Sequence, residues 1–321
     1  MRQDDREEIF RKFKEFTDLL GKRRTEGLEE IIDPEISAHF SITNKLKDGS
    51  QASVYGIRDF LESFPETDHF ATDVYRYTCL SEKKRMDAYG KCEDYASQYA
   101  QLMCLAEKEK KSFGFVIQFW GEWKRLPDGW KLTKLKMDIV KGTGDLAAEF
   151  EKDWIFPQGS ALVKDGAQLP CIRGDFDSPW LLAEENDRLN ADEDAVLDTI
   201  NCFLFGVDHF KFEYCYDTTD EKFVAEDVFD IAGKYERNKW IPRVKYKRQA
   251  VRYSVHPCLC TVIQVAGNEA DVKVSFMKFK DQEEEGNGQK GLEIRTESSL
   301  VKLQKSDRWK IVSWNKEKAG E

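Results

Sequence analysis

The sequence predicts an α+β protein built from two tandem copies of one domain, and three observations predict it. The first is the stretch from Phe113 to Ile139. Two apolar-rich runs joined by Pro127-Asp128-Gly129 read there as a β-hairpin, with Trp120, Trp123 and Trp130 supplying most of the buried surface. The second is an echo near the other end of the chain. Runs at 292–303 and 309–314 close over Lys305-Ser306-Asp307-Arg308, and Asp307-Arg308-Trp309-Lys310-Ile311 repeats the text of Asp128-Gly129-Trp130-Lys131-Leu132. The third is a repeated helix: Ile9, Phe13, Phe16 and Leu20 follow at +4, +3 and +4, and so do Val196, Ile200, Phe203 and Val207, offset by 196 − 9 = 187. The closing hairpins are offset by 309 − 130 = 179, so the copies differ by about eight residues of net loop.

Size and composition bound the rest. A chain of 321 residues suits two domains of roughly 150 residues each. Apolar residues are 40% of it and aromatics 12%, enough to fill a core in each half and to exclude wholesale disorder. The net charge of −10 divides as 25 − 28 = −3 over 1–150 and 25 − 32 = −7 over 151–321. Neither half is basic, which argues against nucleic acid as a partner. No run reaches the roughly 18 apolar residues of a membrane span, and the acidic, helix-forming start is no signal peptide. The expectation is a cytoplasmic protein. Its eight cysteines form no CxxC pair and sit inside apolar runs, as core thiols do in a reducing compartment. There is no metal-ligand spacing, no phosphate-binding glycine loop and no nucleophile elbow, so neither a metal nor a cofactor is expected.

Taken in order, Asp5 and Glu8 have capping-box spacing, and the first helix runs to Gly21. A short helix with Leu28, Ile31 and Ile32 stops at Asp33-Pro34, because a residue before proline leaves the helical region. Ile36, Ala38, Phe40 and Ile42 alternate as a strand, with His39 out of phase. A helix from Gly56 carries Ile57, Phe60, Leu61 and Phe64. Strands follow over 70–80 and 86–103, and the charged run 107–111 marks a solvated hairpin tip before the tryptophan hairpin. Leu146, Phe150 and Trp154 have the spacing of one more helix. Residues 1–155 thus form a first domain with helices on one side of a curved, mostly antiparallel sheet. Residues 156–189, rich in proline and glycine, read as a linker whose Trp180, Leu181 and Leu182 dock on a domain. The second domain, 190–321, opens with Asn190 at capping spacing from Glu193.

This order of elements, with a histidine before a strand (His69, His256) and a closing strand reading Gly129-Trp130-Lys131, resembles the nuclear-transport-factor-2-like superfamily, above all its SnoaL-like branch. The resemblance spans about 4–142 and 190–316. It implies two cone-shaped α+β barrels, each open at a mouth where ligands enter, paired as a pseudo-dimer within the chain or as a homo-oligomer. Ketosteroid isomerase, scytalone dehydratase, the bile-acid 7α-dehydratases and polyketide cyclases belong to the superfamily and share acid/base chemistry in an apolar cone. A carboxylate or imidazole withdrawn from water has its pKa moved toward neutrality and shifts protons without a cofactor.

The resemblance carries over to particular residues. His256 matches the histidine and Asp208 the aspartate of the dehydratase-like members, which makes them the candidate catalytic pair. His69 matches the histidine of the first copy, but Gly21 stands where its aspartate would be. A tyrosine of such enzymes falls on Phe16 and Phe203, which with His69 are the candidate ligand-binding residues. The function implied is binding of a small, largely apolar molecule, with a dehydratase, isomerase or cyclase step. The alternative is a non-catalytic ligand-binding or protein-interaction module with structural histidines. Each candidate has a plainer reading beside it: Asp208 a loop carboxylate, Asp33 a helix stop, Lys134 and Lys136 an exposed strand face. The basic cluster Lys234, Arg237, Lys239, Arg243, Lys245, Lys247, Arg248 and Arg252 reads either as a solvated surface balancing Glu283-Glu284-Glu285 or as a site for a phosphate or carboxylate.

Overall fold

The computed structural model describes residues 3–40, 43–45, 51–53, 64–86, 92–152, 170–183, 191–249, 255–283 and 290–317. The chain divides into two units, one of residues 1–158, 166–188 and 279–294, the other of 159–165, 189–278 and 295–321.

The apolar stripe of α1 (Gln3–Gly21) buries Ile9, Phe13, Phe16 and Leu20 in the core of unit 1. α2 (Leu28–Ile31) ends where Asp33-Pro34 imposes extended backbone, and β1 (Ile32–Phe40) begins there. β2 (Thr43–Lys45) and β3 (Gln51–Ser53) form a separate short pair. Four long strands follow: β4 (His69–Met86), β5 (Cys92–Lys108), β6 (Lys111–Leu126) and β7 (Gly129–Thr143). The sheet order is β1-β7-β6-β5-β4, antiparallel except that β1 runs parallel to β7. The helix expected from Gly56 lies outside the described residues.

Local chemistry explains the turns. At the charged tip Glu109 and Lys110 take left-handed φ of 49° and 67°, the twist a two-residue hairpin loop favours, at a steric cost for non-glycine residues. Asp68 offsets that cost by accepting the Glu109 amide at 2.9 Å. A few residues beyond that tip, where the start of β6 pairs with the end of β7, the register shifts between Gly114 and Val116, and a Cβ on Gly142 would lie 1.5 Å from the Gly114 carbonyl oxygen. Only glycine fits there.

From Phe113 to Trp123, β6 is buried at every position, so both of its faces are covered. Phe113, Phe115, Ile117, Phe119 and Trp123 belong to the core shared with α1. After the single turn α3 (Ala147–Phe150), shorter than the spacing through Trp154 suggested, residues 170–183 pack back on unit 1. The fully buried Asp138 of β7 accepts the amides of Cys171 and Ile172, both at 2.9 Å. Asp177 accepts Lys136 Nζ at 2.6 Å. In α4 (Pro179–Leu182) Trp180 is buried while Leu181 is exposed.

Unit 2 follows the same plan. Its elements are α5 (Asp192–Asp208), α6 (Phe212–Thr218), β8 (Thr219–Glu226), β9 (Lys234–Glu236), α7 (Arg237–Arg248), β10 (Cys258–Ala266), β11 (Glu269–Glu283), β12 (Lys290–Lys305) and β13 (Trp309–Lys316), of which β11 belongs to unit 2 as far as residue 278 and β12 from residue 295. Its order, β10-β11-β12-β13-β8-β9, matches unit 1 strand for strand, with β8 parallel to β13 and β9 added beyond β8. Val196, Ile200, Phe203 and Val207 line its core.

The acidic residues at the helix starts do something other than cap. Asp5 lies inside α1, and its Oδ1 accepts Trp130 Nε1 at 3.2 Å and Arg125 at 2.6 Å, while Glu8 accepts the Trp130 amide at 3.1 Å. In unit 2 Asp192 Oδ1 accepts Trp309 Nε1 at 3.1 Å and Lys305 Nζ at 2.6 Å. The offset, 192 − 5 = 187, is that of the apolar stripe. Asn190 lies outside the described residues, and the N-cap of α5, Ala191, makes no side-chain cap.

Candidate functional site

Three element ends meet in unit 2. α5 stops at Asp208 because His209 leaves the helical region and Phe210 adopts a left-handed φ of 59°, returning the Lys211 amide to the Gly206 carbonyl at 2.7 Å. Asp208 is therefore fully buried at a helix C-terminus, where the aligned peptide dipoles already present negative charge. A carboxylate in such a place needs donors. Nδ1 of His256 is one. His256 precedes Pro257, which disfavours helical backbone at the residue before it, and the Pro257 carbonyl accepts the Met277 amide at 2.8 Å.

Arg248, the last residue of α7, reaches the other ring nitrogen, with its Nη2 2.6 Å from His256 Nε2. A guanidinium has only donors, so Nε2 accepts and the ring proton sits on Nδ1, facing Asp208. The result is a chain of carboxylate, neutral imidazole and guanidinium.

Aromatic rings wall the imidazole. Phe229 and Phe276 stand edge-on to it at centroid distances of 5.3 and 6.0 Å. Phe229 also packs against Phe203, Trp240, Phe276 and Trp314 at 5.5–6.2 Å. It does so from a left-handed φ of 55°, shared with Asp227 and Asp230 in the same loop, a conformation that costs a non-glycine residue on the order of 1–2 kcal/mol. In this aromatic group the buried indole N–H groups of Trp240 and Trp314 have no acceptor among the described residues. The His256 side chain keeps 14% of its surface exposed, whereas Asp208 has none.

Nearby Cys215 is no nucleophile. Burial pushes its thiol well above the usual range, and the charges of Glu213 and Asp208 push it further. Among the described residues no group of His, Cys, Asp and Glu side chains is arranged to hold a metal ion. No described helix is long and apolar enough to cross a membrane.

The other candidates are placed differently. His69 is exposed at the start of β4, and Gly21 ends α1, so no pair like Asp208–His256 forms there. Phe16 is buried in the unit 1 core against Phe119, and Phe203 is buried in unit 2 against Trp314 and Trp240, one ring removed from His256. His39 is exposed on β1. Asp33 accepts the Glu35 amide at 2.8 Å, a local turn at the helix end. Lys134 pairs with Glu122 at 2.8 Å and Lys136 with Asp177. A shallow cavity of about 300 Å³ in unit 1 is lined by Glu8, Arg11, Lys12, Glu15, Asp128 and Lys131, whose charges pair within it.

Sequence reasoning did not single out Phe229 or Phe276, and it met Arg248 only as one of eight basic residues. For Arg248 the position at the end of a helix, eight residues before His256, was a usable signal. For Phe229, in the loop between β8 and β9, there was none.

No protein-family model matches the chain, and no curated protein matches it. Solved structures do. An NTF2-like protein with a cystatin-like fold from Novosphingobium aromaticivorans is 16% identical, over 46% of this chain and 88% of that one, with a TM-score of 0.32. A cystatin-like protein from Caulobacter vibrioides is 9% identical over 39% and 87%, with a TM-score of 0.29. The association domain of C. elegans CaMKII is 13% identical over 39% and 95%, with a TM-score of 0.31. Two of these three structures are described as having a cystatin-like fold, one of them as NTF2-like, and each alignment takes in less than half of this chain.

Proposed function

We propose that unit 2 binds a small, largely apolar molecule against Phe229 and Phe276, and that His256, oriented by Asp208, exchanges a proton with it in a lyase or isomerase reaction that needs no cofactor. The observation that carries this reading is the Asp208–His256 contact: a fully buried carboxylate set on one nitrogen of an imidazole that still reaches the surface. Histidine changes charge near neutral pH, and a well-placed general acid or base contributes about 10²–10⁴-fold to a rate. Asp208 would fix the tautomer and stabilise the imidazolium formed in the step. One observation favours a non-catalytic binding module instead. Arg248 occupies Nε2, the nitrogen a substrate proton would reach.

Native mass spectrometry of protein purified from its source cells, wild type beside Phe276→Trp and His256→Asn, tests the reading. A co-purifying small molecule that is lost in Phe276→Trp, and that His256→Asn binds but does not turn over, supports it. Turnover unchanged in His256→Asn refutes the catalytic assignment, and ligand-free masses throughout, with no binding by titration, favour the non-catalytic module.

A further inference from the structure

Among the described residues the basic cluster on β9 and α7 is largely spoken for, Arg252 lying outside them. Lys234 pairs with Glu226, Lys239 with Glu236, and Lys247 with the carbonyl and carboxylate of Asp230. Arg237 donates to the Thr219 carbonyl, and Arg243 lies 4.4 Å over the Tyr235 ring. Arg248 differs. Its one contact among the described residues is the neutral acceptor Nε2 of His256 at 2.6 Å, and no described carboxylate lies within ion-pair distance. A guanidinium offers five N–H donors in a planar fork that matches a carboxylate two-for-two, so most of its capacity is open.

We propose that Arg248 selects the substrate: the molecule taken by unit 2 carries a carboxylate on its apolar body, and that carboxylate engages Arg248 and draws it off Nε2. This deepens the preceding reading and rests on it. While Arg248 donates to Nε2, that lone pair is occupied, and protonating the ring would set two cationic donors against each other. A carboxylate on Arg248 satisfies the guanidinium and neutralises it. Nε2 is then open at the moment substrate arrives, and the observation that favoured a non-catalytic module becomes the resting form of the site. A monoanion fits better than a phosphate dianion, because among the described residues one cation without a carboxylate partner, Arg248, faces the imidazole and the neighbouring Lys247 is held by Asp230. Phe229 and Phe276 would receive the apolar body.

The test is nitrogen-15 NMR of the full chain with labelled histidine, titrated with benzoate and with benzamide as its uncharged counterpart. Benzoate should move the His256 ring nitrogens at concentrations about tenfold or more below benzamide, the preference a charge-assisted hydrogen bond confers. Arg248→Gln, which keeps an N–H for Nε2 and loses the charge, should bind the two probes alike. Arg248→Lys should keep a reduced preference for benzoate, and it serves should Arg248→Gln fail to fold. Equal binding of both probes by the wild type overturns the selection for an anion and leaves the pocket standing. A preference for benzoate that survives Arg248→Gln overturns the role of Arg248. No response of His256 to either probe at tens of millimolar overturns the pocket reading and this inference together.

Discussion

Replacing Trp130 by alanine and by phenylalanine separates the two ways in which this indole holds unit 1 together. The ring is 2% exposed and belongs to the core formed with α1. Truncating so large a buried aromatic to alanine costs about 3–5 kcal/mol, through lost transfer energy and the cavity left behind. Phenylalanine keeps most of the apolar surface and loses the N–H that meets Asp5 Oδ1 at 3.2 Å. A hydrogen bond to a charged group contributes about 1.5–3 kcal/mol. Arg125 stays 2.6 Å from the same oxygen, so the carboxylate is not left unpaired and the low end applies. Trp130→Phe should therefore cost about 1–2 kcal/mol, and its coupling to Asp5→Ala in a double-mutant cycle should be about 1 kcal/mol. The assay is urea unfolding with hydrogen exchange read at the β6 and β7 amides, since a chain of two units need not unfold as one. A cost for Trp130→Ala below about 1 kcal/mol, or a coupling of zero, would refute the reasoning.

Three further outcomes are expected. His256→Ala removes a donor from the buried Asp208 and should cost about 1–3 kcal/mol in thermal denaturation, while His256→Asn, which keeps a donor, should cost less; equal costs would show that the contact does not stabilise the fold. In unit 2 hydrogen bonds from Lys305 and then Trp309 hold the Asp192 carboxyl below its ordinary 3.8. A folded pKa below the unfolded one means that the contribution is fully present above 3.8 and lost as pH falls through the folded value, so the urea midpoint of wild type should approach that of Asp192→Asn on acidification; parallel curves would contradict the assignment. Gly142→Ala should unzip the end of the β6–β7 pair, because its Cβ would meet the Gly114 carbonyl at 1.5 Å; native-like exchange protection at Phe113 and Phe115 would show that the backbone adapts at no cost.

Much of the fold was legible because it is written twice. The +4, +3, +4 stripe of α1 and α5 and the two closing tryptophans are periodic, local signals, and both were buried where periodicity placed them. The contact between Asp208 and His256 spans 48 residues and has no local signal at all; only the alignment of the two copies, together with the resemblance, brought the two residues side by side. Spacing misled at Asp5 and Glu8. A capping box and a pair of acceptors for a distant hairpin look the same in one dimension, and the tertiary partner won because an indole N–H buried in the core must find an acceptor. The docking of residues 170–183 through Asp138 was hidden for the same reason, since one aspartate in an apolar strand says nothing of which amides it will receive.

The long reach of the two tryptophan clamps bears on how the protein is made. Asp5 and Trp130 are 125 residues apart, and Asp192 and Trp309 are 117 apart. At about 5–20 residues per second, a ribosome needs roughly 6–25 s between releasing one partner of the first clamp and the other. Through that interval the stripe of Ile9, Phe13, Phe16 and Leu20 has no finished sheet to lie on, and the same wait is repeated for Val196, Ile200, Phe203 and Val207. Neither clamp can close before the last hairpin of its unit has been made, so for seconds each nascent helix is without the indole partner that its acidic residue holds in the finished fold.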